Sequence, residues 1–317
     1  MKAEYPLDNM PEVLRRIIGE MKETRPSFEG LAREADAKLA ARQPITGVVY
    51  AQAQLPVEIA SEASRKVLLL LENNLFYLET LGVLGLTRYL FELLVWLKSI
   101  DRDRLRSVEF LLQIHEDQEK HVVRYIRRLN AEADFFDELA KEDGPPAELL
   151  ETARSDASGL DAEFFRDALA RNMDAVDLKA RRRFVLYRRA ATTNGYGYQA
   201  LLIRKHAIEA AADELGRLRA GRAEFETRVT RPVLDAETLG NDGKRKRWNW
   251  RAEADRVGMA DAYDFIYAYT SRLLHATPAS FYTSKKNLEM EEMETFLEFC
   301  YVTLLDLVEL TQKLIRD

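Results

Sequence analysis

The chain has one cysteine, Cys300, so it cannot close an internal disulfide. Cys300 lies in the apolar run "FLEFCYVTLL", which assigns it to packing in a reducing setting and excludes a Cys-His nucleophile, since reactive thiols need an exposed, electropositive site. The four histidines offer little to a metal. Three residues before them stand Leu112, Gln118, Ile203 and Arg272, so the Glu-x-x-His pair of di-iron bundles is missing. "HEDQEKH", residues 115–121, lacks His-Glu-x-x-His, and on a helix its pairs His115/Glu119 and Asp117/His121 point about 200° apart. It reads as a charged, solvated face. No glycine-rich phosphate loop occurs, and "NGYGY", residues 194–198, is too short and lacks the lysine. No metal and no cofactor is expected.

Long apolar runs are also lacking. Those around Leu68–Leu71 and Leu93–Leu97 are too short to span a bilayer, and "MKAEYPLDNMPEVLRR" has no apolar stretch of secretory type, so a cytoplasmic location without a membrane partner is expected. With a net charge of −6 the molecule does not bind polyanions by bulk electrostatics, so any nucleic-acid contact must come from a local patch. Glycine (14) and proline (9) are scarce and cluster where the apolar periodicity breaks.

What remains is helix. The pattern predicts an all-α chain, a multi-helix bundle with a helical insertion and no significant sheet. Helices are expected over 11–22, from Ser27 as N-cap to 42, across 58–100 with Gly82 and Gly85 marking a turn or close contact, from Asp101 or Asp103 to about 140, over 161–192, over 199–222, over 251–276 and over 285–315. Residues 44–56, "PITGVVYAQAQLP", read as an extended linker, and 231–250 as the longest irregular connection. The domain reading is N-terminal helices with a linker over 1–57, a main helical domain from 58–145 and 250–317, and an insertion with a basic loop over 146–249.

Two features suggest chemistry. In "LGLTRYLFELLVWL", residues 84–97, Arg88 and Glu92 are the only charges on a helix apolar nearly all round, and a buried charge needs a partner. Arg before Glu at a spacing of four is the weaker order for an isolated pair, which implies a tertiary partner. In the helix ending at Thr277, Ala262, Phe265, Ile266, Tyr269 and Leu273 form the expected apolar stripe, while Asp264, Ala268, Ser271 and His275 share a polar one. His275 in a last turn also suits the carbonyl end of a helix dipole, a purely structural role. Two basic stretches stand out: "KARRRFVLYRRA", residues 179–190, and "KRKRWNWR", where Lys244, Arg245, Lys246 and Arg247 precede Trp248 and Trp250. Cations track phosphates and aromatic faces stack on bases, so the second is a candidate single-strand contact, or else a soluble loop.

Arg88 and Glu92 in "RYLFELLVWL", followed by Tyr267, Ser271, His275 and Pro278 in "YAYTSRLLHATP", give the chain a resemblance to a bacterial family, the domain of unknown function 5677, over about 60–130 and 250–312. The resemblance implies that Arg88, Glu92, Ser271 and His275 converge in one polar pocket and brings no activity with it. The helical pattern also resembles the HEPN superfamily, often ribonucleases of toxin and antiphage systems, but the arginine that there stands ahead of a catalytic histidine, with four to six residues between them, is missing: those positions before His275 hold Ala268, Tyr269 and Thr270.

Two functions therefore stand as expectations. One is an effector directed at RNA or a nucleotide, with His275 as general acid or base, Arg88 stabilising phosphate charge and Glu92 orienting Arg88. The other is a non-enzymatic binding or assembly module, self-associating through the C-terminal helices, in which the same residues knit helices together.

Overall fold

Scarce helix breakers translate into helix at every regular element. The structure is a computed structural model that describes residues 11–41, 44–73, 80–143, 151, 162–238, 248–274 and 288–317, and no strand occurs among them. The chain divides into two compact units, Met1–Leu112 with Glu224–Asp317, and Gln113–Ala223.

In the first unit α1 (Glu12–Glu23) and α2 (Arg25–Ala40) are separated by Thr24 alone. Thr24, not Ser27, marks the start of α2; its hydroxyl donates to the Met21 carbonyl at 2.7 Å, and Pro26 occupies the first helical turn, where its missing N–H costs nothing. Leu14, Ile17, Met21, Phe28 and Leu31 turn into the main core, so the N-terminal helices are part of this unit.

The expected linker at 44–56 is mostly helical instead. A short turn, Gly47–Val49, runs through a π-helical turn, Tyr50–Gln54, into α3 (Leu55–Asn73). Pro44 and Pro56 suggested extended chain, but Tyr50, Ala51 and Leu55 bury completely, and that burial outweighs the breaker signal.

α4 (Thr80–Arg102) follows. Gly82 and Gly85 lie inside it, and a Cβ at Gly85 would have no heavy atom within 4 Å, so Gly85 marks neither a turn nor a close approach. Because the glycines do not break it, α4 is long and apolar enough by composition to cross a membrane, contrary to the short apolar runs read from sequence. In this fold it is mostly buried. Leu90, Leu94 and Leu97 face the core shared with α13 (Met290–Arg316), while Phe91 and Val95 face α11 (Trp250–Arg256) and α12 (Ala260–Leu274). Two packed sides explain why the sequence shows almost no polar face.

α13 opens with a capping box between Glu289 and Glu292 and touches α1, α2, α3 and α4. Its Cys300 is fully buried against Thr87, Sγ to Oγ1 3.3 Å, and burial pushes the thiol up to about 12. The helix expected over 251–276 is two helices, α11 and α12, because Gly258 takes a left-handed φ of 74° between them.

The chain leaves the first unit within α5 (Arg106–Glu142). The second unit adds α6 (Ala162–Arg182), α7 (Arg188–Asn194), α8 (Tyr196–Leu202), a π-helical turn at Ile203–Ile208 and α9 (Glu209–Val229), within which the chain returns. The interruption expected at "TTNGYGYQ" is a single residue, Gly195, at φ 87°. Its core is Leu129, Phe136, Leu139, Val176, Tyr196 and Ile203. The expected irregular stretch at 231–250 begins as helix, α10 (Arg231–Thr238).

Candidate functional site

α4 and α12 supply the candidate site. The Arg88 Nε donates to the Glu92 Oε1 at 2.9 Å, one helical turn on, and the two side chains are 35% and 27% exposed. The tertiary partner implied by the helix order is Tyr267 of α12. Its hydroxyl donates to the same Glu92 Oε1, and the Arg88 guanidinium lies 4.3 Å above its ring. One carboxylate oxygen thus receives a cation and a phenol, while the cation also sits on the phenol's face. Burial, then Glu92, pushes the Tyr267 hydroxyl well above its ordinary pKa. At Arg88 burial disfavours the charge, but the hydrogen bond to Glu92 and the contact with Tyr267 outweigh it and the guanidinium is raised.

Tyr267 reaches Glu92 because α12 buries a different stripe from the one read in sequence. Ile266 and Thr270 are buried and Tyr263 and Tyr267 half-buried, at spacings of three and four, whereas Phe265 is 56% exposed. Tyr263 stacks on Tyr267 at 4.2 Å, and Phe91 meets the Tyr267 ring edge-on at 6.5 Å. Phe265 and Tyr269 turn to Phe296 of α13 instead.

The polar stripe begins with Asp264, which a paired contact with Arg251, both distances 3.0 Å, holds below its ordinary pKa. Ser271 is one turn beyond Tyr267 on the α12 backbone, and its side chain lies outside the described residues, as does the whole of His275. Of the four residues expected to converge, the structure joins Arg88 and Glu92 and adds Tyr267.

Lys244, Arg245, Lys246 and Arg247 also lie outside the described residues. Trp248 and Trp250 are described, and both pack on α4. Trp248 stacks on Trp96 with ring centroids 3.4 Å apart and planes 16° from parallel, and Trp250 meets both rings edge-on at 6.0 and 5.3 Å. One face of Trp248 is therefore occupied by protein. Asn249 between them accepts from the Ala252 N–H at 3.2 Å and caps α11.

The most buried ion pair among the described residues of the first unit was not singled out from the sequence. Arg106, at the start of α5, donates through Nη2 to both oxygens of Glu253 on α11 at 2.8 and 2.9 Å, and both side chains are 8% exposed. Glu109 takes the Arg106 Nη1, and Arg256 approaches Glu253 at 3.2 Å. A second Arg–Glu–Tyr arrangement was also missed. The Tyr50 hydroxyl donates to Glu58 at 2.8 Å, Arg228 pairs with Glu58 at 3.2 Å, and the Arg228 guanidinium lies 4.1 Å above the Tyr50 ring.

In the second unit the "HEDQEKH" face is paired rather than wholly solvated: Arg222 and Arg219 of α9 approach Glu119 at 3.4 and 3.8 Å, while Asp117 and His121 are exposed. Among the described residues no three His, Cys, Asp or Glu side chains gather as a metal ion would require. Compared with protein-family models, with curated proteins and with solved structures, the chain matches none.

Proposed function

We propose that this chain is a non-enzymatic helical binding module in which the Arg88–Glu92–Tyr267 cluster fastens α12 to α4. The observation that carries this reading is the repetition of the cluster. Arg228, Glu58 and Tyr50 reproduce every contact, tyrosine to carboxylate, arginine to carboxylate and guanidinium over ring, at a place where Tyr50 is 1% exposed. A buried phenol offers nothing to a substrate, so its repeated arrangement is a way of joining helices, and the economical assignment for the first cluster is the same. In the first cluster the Arg88 Nε and the Tyr267 hydroxyl share Glu92 as their acceptor. Self-association through the C-terminal helices belongs to this reading, since Val302 and Leu305 of α13 are exposed.

One observation favours the second reading, an RNA- or nucleotide-directed effector of a toxin or antiphage type. Arg88 is a third exposed, and Ser271 follows Tyr267 by one turn, so a substrate phosphate could reach the guanidinium with His275 as the proton carrier. The test is expression of wild type and His275→Ala at matched soluble levels in a bacterial host, with total RNA resolved by length. Intact RNA and equal growth in both strains are expected. Fragmented RNA and arrested growth with the wild type alone would replace the binding module by the effector.

A further inference from the structure

We infer that the second unit carries a docking surface for single-stranded RNA, built on Phe184 and the arginines around it. The inference rests on the binding-module reading and names its partner.

Phe184 is the most exposed large apolar residue described, at 83%. It lies in the non-helical segment between α6 and α7, and that segment is pinned. The Glu132 carboxylate of α5, 3% exposed, accepts from the Leu186 and Tyr187 N–H groups at 2.9 and 2.7 Å. Arg128 of α5 donates to the Phe184 carbonyl at 2.6 Å and lays its guanidinium 4.2 Å from the Phe184 ring centre. An apolar ring that burial would favour is thus fixed in water with a cation on one face. Fixing it beforehand lowers the ordering cost of whatever stacks on the open face.

The charge around it has one sign. Arg124 lies one turn before Arg128 on α5 and Arg127 immediately before it, and Arg182, Arg183 and Arg189 flank Phe184 along the chain; all five are exposed. None of the five forms a salt bridge among the described residues. Three acids of α5 and α6 are already used: Asp177 is held below its ordinary pKa, against burial, by Arg181 and Arg188, Glu142 pairs with Lys179, and Glu132 binds the backbone. Arg183 lies 4.3 Å over the Phe135 ring, and the other four carry guanidinium groups, whose planar fork matches phosphate oxygens two at a time.

Unpaired arginines beside a presented aromatic face match a flexible polyanion with planar groups along it. A single strand supplies both, phosphates to the cations and a base to Phe184, whereas the bases of a duplex are stacked away. Leu186 is also exposed, which raises an anionic lipid surface as the competing partner. One phenylalanine and one leucine form a small anchor beside so many guanidinium groups, and the observations favour RNA.

The experiment is fluorescence anisotropy of a labelled oligouridylate of about 12 nucleotides titrated with the full chain at several salt concentrations. Binding is expected to weaken with salt, and the slope of log affinity against log salt to fall by about 0.7 for each of Arg124→Ala, Arg127→Ala and Arg182→Ala. Phe184→Ala is expected to weaken binding about tenfold or more, and Phe184→Trp to restore it. These side chains are exposed, and far-UV circular dichroism confirms that each variant is folded. Absence of binding at low salt overturns the inference, as do affinities that the substitutions leave unchanged. Sedimentation with phosphatidylserine-containing vesicles without any RNA shift overturns it in favour of lipid. An intact but unbound oligonucleotide removes this inference alone; a cleaved one removes the binding-module reading beneath it.

Discussion

Replacing Arg106 by alanine tests the most buried ion pair among the described residues of the first unit. The substitution strips Glu253, 8% exposed, of the Nη2 that reaches both its oxygens and leaves it, among the described residues, the half-exposed Arg256 at 3.2 Å. Breaking a buried ion pair by removing one member costs about 3–5 kcal/mol, mostly because the other charge stays buried without compensation. The remaining Arg256 contact places the expected loss at the lower end, about 3 kcal/mol. All three tryptophans, Trp96, Trp248 and Trp250, lie in this unit and stack together, so their fluorescence in urea follows the first unit specifically. With a slope of about 2 kcal/mol per molar urea, the midpoint falls by about 1.5 M. Arg106→Lys keeps the charge but cannot span Glu109 and Glu253 with separate nitrogens, and should lose about half as much. A midpoint for Arg106→Ala within about 0.3 M of wild type would refute the view that this pair holds α11 to the start of α5.

Other consequences are smaller or more local. Tyr267→Phe and Tyr50→Phe each remove a phenol-to-carboxylate hydrogen bond and should each lower stability by about 1.5–3 kcal/mol, read from the same urea curves; a loss at only one of the two would break the parallel between the clusters. Both phenols have raised pKa values in the folded state, so their contribution is full below the unfolded value of about 10 and is lost as pH rises beyond it; the fall in Tm between neutral and strongly alkaline pH should be shallower in each phenylalanine variant than in wild type. Cys300, buried with its thiol near 12, should resist alkylation at pH 8 in the native protein and react at once in denaturant, as mass spectrometry will show; rapid native labelling would mean that α13 opens. Glu132→Ala leaves two backbone N–H groups without their acceptor and should make trypsin cut faster after Arg183, while the tryptophan unfolding curve stays unchanged.

Fold class was legible in the sequence because few residues argue against helix. The end of α1, the body of α5 and the run of α13 follow from periodicity, and Arg88 with Glu92 stood out because charges are conspicuous among leucines. The same contrast hid Arg106 and Glu253. Both sit in charge-rich helices, where nothing in the local pattern separates a buried charge from a solvated one. Residues 44–56 misled because proline and glycine report local preference, whereas Tyr50, Ala51 and Leu55 obey a tertiary demand. Trp248 and Trp250 looked like open platforms because their partner, Trp96, is far along the chain. Tyr267 could have been placed on the buried side by spacing alone, since it falls four residues after Tyr263 and three before Thr270, on the stripe that α12 buries.

The most direct measurement is a double-mutant cycle between Glu92→Gln and Tyr267→Phe, read by urea unfolding through tryptophan fluorescence. If the cluster fastens α12 to α4, each single variant is destabilised and the pair couples by about 0.5–3 kcal/mol. Full additivity, with both variants as stable as wild type, would contradict a fastening role and leave Arg88, Glu92 and Tyr267 free for chemistry.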